Sequence, residues 1–396
     1  MQHSEMNYVK KALPSNLRSI GLLLLIAGII LGLVAYFIDQ PRAMFNYLIS
    51  YMFLISIGVG SLFLISLEYV ANADWSVPLR RVIEHLAAII PLLFILVLPL
   101  FFSIHDLFHW SHPEAVSEDK ILQGKAPYLN ATFFIIRSIA AIVIWSLFYF
   151  FISRNSLKQD ETKDQKLTKT NIKLSAAFIP FFAVTITVSA IDWMMSLEPH
   201  WFSTIFGVYF FAGTVVASLA AVTLFVVKLK EKEYLHPKVT NDHLFSLGAL
   251  MFAFVNFWAY IAFSQYLLIW YADLPEETFW FLHRWEGSWT VFSIALIVMH
   301  FIVPYAVLLA QPAKMDMKKL KFISIWLLAA HLLDLFWLVM PNMSVHAHGY
   351  VFSWIDLVFP VFIVGFVILV FYYRANKTNL LPSGDPKLNR ALDFHI

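Results

Sequence analysis

Apolar stretches of about 20 residues recur ten times along this chain, at about 17–38, 45–70, 82–104, 130–152, 171–192, 203–228, 243–270, 287–310, 320–340 and 350–372. About 20 such residues are needed for a helix to cross the hydrocarbon core of a bilayer. Inside lipid every backbone N–H and C=O must find a partner within the protein, which leaves only helices and closed barrels. The runs lack the apolar/polar alternation of barrel strands. The expected fold is therefore all-α: a polytopic membrane protein with ten transmembrane helices. Prolines at 91, 99, 180, 304 and 360 fall inside the runs, and neighbouring helices can satisfy the carbonyls they free. Composition excludes a soluble alternative, with 60% hydrophobic residues, 14% charged residues and a mean hydropathy of +0.71, where soluble chains carry about 25% charged residues. The opening MQHSEMNYVKKALPSN is polar, and the first apolar run is too long for a signal-peptide core and is followed by no small-residue cleavage site. It is expected to be a retained anchor.

The basic residues give an orientation. Arg42, Lys120, Lys125 and Arg284 fall on one set of connections and Arg137 lies within a span. The other Lys and Arg residues, out of 28, all fall on the N-tail, the alternate connections near 80, 154–173, 228–238 and 314–321, and the C-tail. The positive-inside rule then predicts cytoplasmic termini. This divides the chain into an N-tail (1–16), one membrane domain (17–372) and a C-tail (373–396). The other side carries two distinctive loops: 104–129, with His105, Asp106, His109, His112, Glu114, Glu118 and Asp119, and the acidic, aromatic 271–286. They read as a solvated rim or as a docking surface for an extracytoplasmic partner.

The chain has no cysteine, which excludes thiolate-ligated clusters, Cys-bound zinc, attached c-type haem and disulfides. A net charge of +2 gives no reason to expect nucleic acid. No metal is expected, because the outer-loop histidines lack tight ligand spacing and DWMMS reads as packing. A b-type haem is disfavoured, since no helix repeats a histidine pair.

Ionisable residues within membrane spans are functional candidates by default. Glu68, Glu84, His85, Asp192, His300, His331, Asp334 and Asp356 are candidates for a proton path, and Arg137, His331 and Asp334 for a quinone site. Their expected depths form two layers. In the outer one, His331 and Asp334 are three apart and share a helix face, where a His or carboxylate could take the protons a quinol loses. Arg137 could pair with Asp192, Asp334 or Asp356. In the inner layer Glu68 and Glu84 either face each other as a proton entry, since adjacent carboxylates can share a proton, or pair with Arg80 and Arg81. His300 reads as a lone core histidine.

The segment IDWMMSLEPHWFSTIFGVYFFAG (191–213) resembles the NrfD/polysulfide-reductase-like membrane subunits of bacterial alternative complex III, a quinol-oxidising respiratory complex. RRVIEHLAAIIPLLFILVLPLFF (80–102), APYLNATFFIIRSI (126–139) and HLLDLFWLVMP (331–341) resemble the smaller, ActF-type subunit. The resemblance implies two four-helix bundles (45–192 and 203–340) flanked by the first and last helices (17–38 and 350–372), in a bacterial inner membrane. It implies as partners a homologous membrane subunit, an extracytoplasmic iron–sulfur protein, multihaem and monohaem c-type cytochromes, a terminal oxidase and lipids. Haem c and iron–sulfur clusters would reside in those partners, with menaquinone or ubiquinone as the candidate quinone. This chain would hold no covalent cofactor and no redox centre. Its expected role is then a quinone-site-like bundle with proton-conducting half-channels. Two alternatives stand beside it. A stand-alone secondary transporter predicts discontinuous helices around a midplane site, and a structural anchor predicts that the buried acids serve stability alone.

Overall fold

The computed structural model describes residues 12–344 and 352–396. Among them it contains ten helices long and apolar enough to cross a membrane and no strand; the protein is an all-α, multi-pass membrane protein. The spans are α1 (Ser15–Ile38), α2 (Gln40–Val70), α3 (Val77–Phe102), α4 (Ala131–Thr162), α5 (Lys166–Leu197), α6 (Phe206–Glu231), α7 (Asn241–Ala272), α8 (Trp289–Leu308), α9 (Met317–Met343) and α10 (Ile355–Lys377).

Helices α2–α5 pack as one ring of four and α6–α9 as a second. The rings meet where α2 lies against α6 and α9, and α1 pairs with α10 on the outside, against α2. One continuous core runs through both rings. Helix α2 is buried along its length because it touches both rings and the outer pair. Ser50, Ser56, Gly58, Gly60, Ser61 and Ser66 keep its surface small enough for close approach, since packing, rather than a hydrophobic drive, joins helices in lipid. The α1/α10 pair interlocks through glycine: a Cβ on Gly28 would lie 2.6 Å from the Phe362 backbone, and Gly365 meets the α1 backbone at Leu24–Leu25.

The expected spans hold, but several connections are more ordered than the sequence suggests. Helix α4 runs to Thr162 and α5 starts at Lys166, so the basic 154–173 connection is a helical hairpin closed by Lys163 at φ 55°. The 104–129 loop folds into short helices including Pro113–Glu118 and Lys120–Lys125, and 271–286 contains the helix Pro275–Trp285. Two spans are irregular. Helix α3 breaks into short helical pieces around Pro91 and Pro99, where proline removes a donor and clashes with the preceding turn. Helix α8 relaxes into a π turn at Val298–Ile302, just before Pro304, which has no N–H for the carbonyl of His300.

Residues 378–396 do not trail away. They cross the face on which most of the Lys and Arg residues lie, here called the basic face. Leu381, Leu388 and Leu392 pack on Val77, Asp385 meets Arg80 at 2.6 Å, the Gly384 N–H donates to Asp160, and Lys387 donates to the carbonyl of Asn72.

Candidate functional site

The structure sorts the ionisable residues of the spans into four groups. In the first ring, Arg137 of α4 donates to both carboxylate oxygens of Asp192 on α5, at 2.8 and 3.0 Å. It also donates to the Tyr128 carbonyl and lies over the Tyr128 and Phe133 rings. This settles its partner among the three aspartates, and it corrects the quinone-site grouping. Arg137 is held in the first ring by Asp192, whereas His331 and Asp334 belong to the second. Asp356 pairs with Arg42 at 2.7 Å and accepts from Asn46, because the start of α2 lies beside the start of α10.

At the basic face the salt-bridged reading of Glu68 and Glu84 is the one observed. Arg80 donates to Glu68 at 2.6 Å, to Asp385 at 2.6 Å and to the Tyr69 hydroxyl. Arg81 bridges Glu84 and Asp160, each at 2.5 Å. Each carboxylate thus has its own arginine, and the two do not form a shared entry pair. His85 lies 2.7 Å from the Thr378 hydroxyl.

The fourth group lies near mid-depth of the second ring. Tyr209 of α6 donates its hydroxyl to Asp334 of α9, and Trp258 of α7 donates its indole N–H to the other Asp334 oxygen at 3.2 Å. His300 of α8 stacks on Trp258 with ring centres 3.8 Å apart. His331 lies 3.0 Å from Ser56 of α2 through Nε2 and packs on Phe53. Both ring nitrogens of His300 and Nδ1 of His331 are buried without a hydrogen-bond partner among the described residues. Gly213 leaves room here, since a Cβ would come 3.1 Å from the His331 ring. Two expectations change. His300 is not a lone core histidine, because the π turn of α8 aims it at Trp258 and His331. The polar groups do not form two layers with an empty middle either. His331 lies 14 residues from Met317 and 12 from Met343, or about 21 and 18 Å from the two ends of α9 at 1.5 Å per residue.

Among the described residues, the donor atoms of His300, His331 and Asp334 come within 4.8 Å of one another, a spacing that could hold a metal ion. The donor set fits a dication poorly. A single carboxylate would have to offset two charges in a low-dielectric interior, and both its oxygens already accept hydrogen bonds. The arrangement suits proton exchange better. No cation pairs with Asp334 among the described residues, and imidazole can both take up and release a proton.

A comparison with family models finds no match, and neither does one with curated proteins.

From His331 a seam of buried hydroxyls follows the α2/α6 contact toward the basic face. Ser56 and Thr214 are 3.3 Å apart and Ser61 and Ser218 3.1 Å. Further along the same two helices Ser66 and Thr223 have buried hydroxyls without a hydrogen-bond partner among the described residues, and Glu68 follows Ser66 by two residues. Sequence reasoning missed this seam, together with Tyr209 and Trp258. A tryptophan in mid-span was a usable signal, because tryptophan favours the interface and a buried indole N–H needs an acceptor.

On the opposite face the segment 194–205 links the rings. His200 contacts Asp119 at 2.5 Å and Glu198 at 3.4 Å, and the His200 contact holds the Asp119 carboxyl below its ordinary range. Trp201 stacks on Trp280 at 4.3 Å. Arg284 lies 3.4 Å over the same Trp280 ring and donates to the carbonyls of Trp280, Trp337 and Leu338, so it is a buried cation at the C-terminal end of α9, where the helix dipole favours one. Trp110 packs on Phe134 and donates to Ser196, which draws part of the 104–129 loop down onto its own chain.

Proposed function

We propose that this chain is an ActF-type membrane subunit of a bacterial quinol-oxidising complex of the alternative complex III kind, and that it handles protons. The observation that carries the reading is the set of contacts made by segment 191–213, the stretch with the strongest family resemblance. Its Asp192 holds Arg137, its His200 meets Asp119, its Trp201 stacks on Trp280, its Tyr209 donates to Asp334 and its Gly213 opens the space beside His331. The stretch therefore organises both rings.

In this reading the basic face is cytoplasmic, the membrane is the bacterial inner membrane, and the opposite face receives the iron–sulfur and cytochrome partners. Tyr209, Asp334, His300 and His331 form a proton-exchanging cluster, and the α2/α6 hydroxyls lead from it toward Glu68 and Arg80. Arg137 serves to hold α4 to α5. The chain contributes no redox centre. Electrons pass through the partners, and a quinone site in this subunit would have to be built around His331 and Asp334 without Arg137.

Extraction from the native membrane in mild detergent tests membership: c-type haem and a large iron–sulfur protein should copurify. In the purified complex, Asp334→Asn should lower the proton-to-electron ratio while quinol oxidation continues; an unchanged ratio refutes the proton role. One observation favours the transporter reading instead, namely interrupted helices (α3 and α8) together with a polar cluster at mid-depth. Purification as a lone, colourless protein that binds a small solute, with Asp334→Asn abolishing that binding, would decide for it.

A further inference from the structure

Helix α10 packs on α1, α2 and α3 but not closely on α9, and the separation leaves a cleft of about 700 Å³ between the outer pair and the second ring. Its walls are aliphatic and aromatic, from Leu17 of α1, Ile325 and Leu332 of α9 and Val367 of α10, and its floor is Phe53 and Ile57 of α2. Pro360 of α10 lines it as well, and a proline inside a helix bends it and removes a backbone donor.

Among the described residues, the polar groups of the cleft are confined to its mouth at the basic face. Lys228 in the last turn of α6 and Lys232 at its C-cap line it together with Asn16. Both lysines are exposed, and neither forms an ion pair among the described residues, whereas the intervening Glu231 is taken by Lys321 at 2.5 Å. The mouth therefore presents two lysine ammonium groups, in no ion pair among the described residues, above an apolar slot. Among the described residues the deep end offers no hydrogen-bonding side chain: Phe53 stands between the cleft and His331.

The geometry points to a binding site for one anionic phospholipid, with an acyl chain in the cleft and its phosphate between Lys228 and Lys232. Charge and depth choose this occupant. An isoprenoid quinone would bring a neutral head group that accepts a hydrogen bond from a lysine but carries no charge to balance the two, and burying that head at Phe53 would leave its carbonyl oxygens unpaired, at a cost of several kcal/mol in an apolar medium. A water-soluble ligand would waste the slot. A phospholipid matches both ends, because each basic residue near a membrane surface adds attraction for anionic head groups. The site is independent of the proton role, and it makes the lipid a wedge between the outer pair and the second ring.

The test uses the full protein, together with whatever copurifies, washed extensively in mild detergent. It is then exchanged into nanodiscs containing equal phosphatidylglycerol and phosphatidylcholine, re-extracted, and analysed by native mass spectrometry with lipid identification. The expected result is one retained phosphatidylglycerol per chain, with K228E/K232E lowering its retention at least tenfold. Ala329→Phe, which fills the slot and leaves the lysines untouched, should abolish retention of any phospholipid; Ala221→Phe fills it from the α6 side should the first variant fail to fold. Equal retention of the two lipids, wild-type retention in the charge-reversed and slot-filled proteins, or recovery of a quinone in place of the phospholipid would each overturn the assignment.

Discussion

Arg137→Ala removes the cation of a membrane-embedded ion pair, and its cost can be worked from the contacts. The Arg137 side chain is 10% exposed and that of Asp192 2%, so neither charge is well screened by water. Breaking a buried pair by deleting one partner costs about 3–5 kcal/mol, because a buried charge is left uncompensated. The two single variants should differ. Asp192→Ala leaves Arg137 with the Tyr128 carbonyl at 2.9 Å and two aromatic faces at 3.8 and 4.3 Å. Cation–π contacts of this kind contribute about 0.5–2 kcal/mol, so Asp192→Ala should be milder than Arg137→Ala by about 1 kcal/mol. Replacing the pair with apolar side chains, Arg137→Met with Asp192→Leu, should recover most of the loss, since such swaps are often neutral or stabilising by about 1–4 kcal/mol. The assay is reversible unfolding in mixed micelles by SDS titration, followed by tryptophan fluorescence, for all four proteins. A double variant as unstable as the sum of the singles, or an Arg137→Ala loss below about 1 kcal/mol, would refute the account of this pair as a mutually compensating clamp between α4 and α5.

Other predictions follow from the remaining contacts. Gly365→Leu should separate α1 from α10, because the α1 backbone occupies the space of the new side chain; faster cysteine-specific labelling of a probe placed at Gly32 would report it, and an unchanged rate would count against the interlock. Asp385→Asn should loosen the segment across the basic face, since Arg80 loses one of its two carboxylates, and cleavage by trypsin at Lys387 or Arg390 should accelerate. The Asp119–His200 contact has a defined pH window. Its carboxyl is held below the ordinary value mainly by the His200 contact, so the stabilisation is fully present above that ordinary value and is lost as pH falls through the lowered one. Hydrogen exchange at Ile121 and Leu122, whose N–H groups Asp119 caps, should rise over that acid range, and His200→Ala should move the rise to higher pH; identical profiles would argue that the contact is incidental.

The ten spans were legible because burial in lipid imposes a composition on each segment whatever it packs against. Which charges meet was not, because that depends on the rotation of each helix about its axis. A helix that is apolar all round carries little pattern to reveal its rotation, so Arg137 had three eligible aspartates. The salt bridges of Arg80 and Arg81 were half visible: Glu68 and Glu84 are close in sequence, whereas Asp160 and Asp385 come from distant segments that hydropathy reads as loop and tail. His300 escaped for another reason. Its place beside Trp258 depends on the π turn, which shifts the register of α8 relative to a regular helix, and Pro304 four residues on was the only local hint. The motif 191–213 carried more of the site than its charges suggested, since Tyr209 and Gly213 act there through a hydroxyl and through the lack of a side chain.

The segment that folds back over the basic face has a consequence for biogenesis. Arg80 enters the membrane domain with the third helix, yet one of its two carboxylates, Asp385, is synthesised only after the tenth. Throughout the intervening insertion steps the nascent chain carries a guanidinium whose final neutralisation lies some 300 residues downstream, with Glu68 as its interim partner. A ribosome that stops early therefore leaves an unlatched protein with its Val77 surface uncovered, a mark that a membrane protease could read to separate finished chains from unfinished ones.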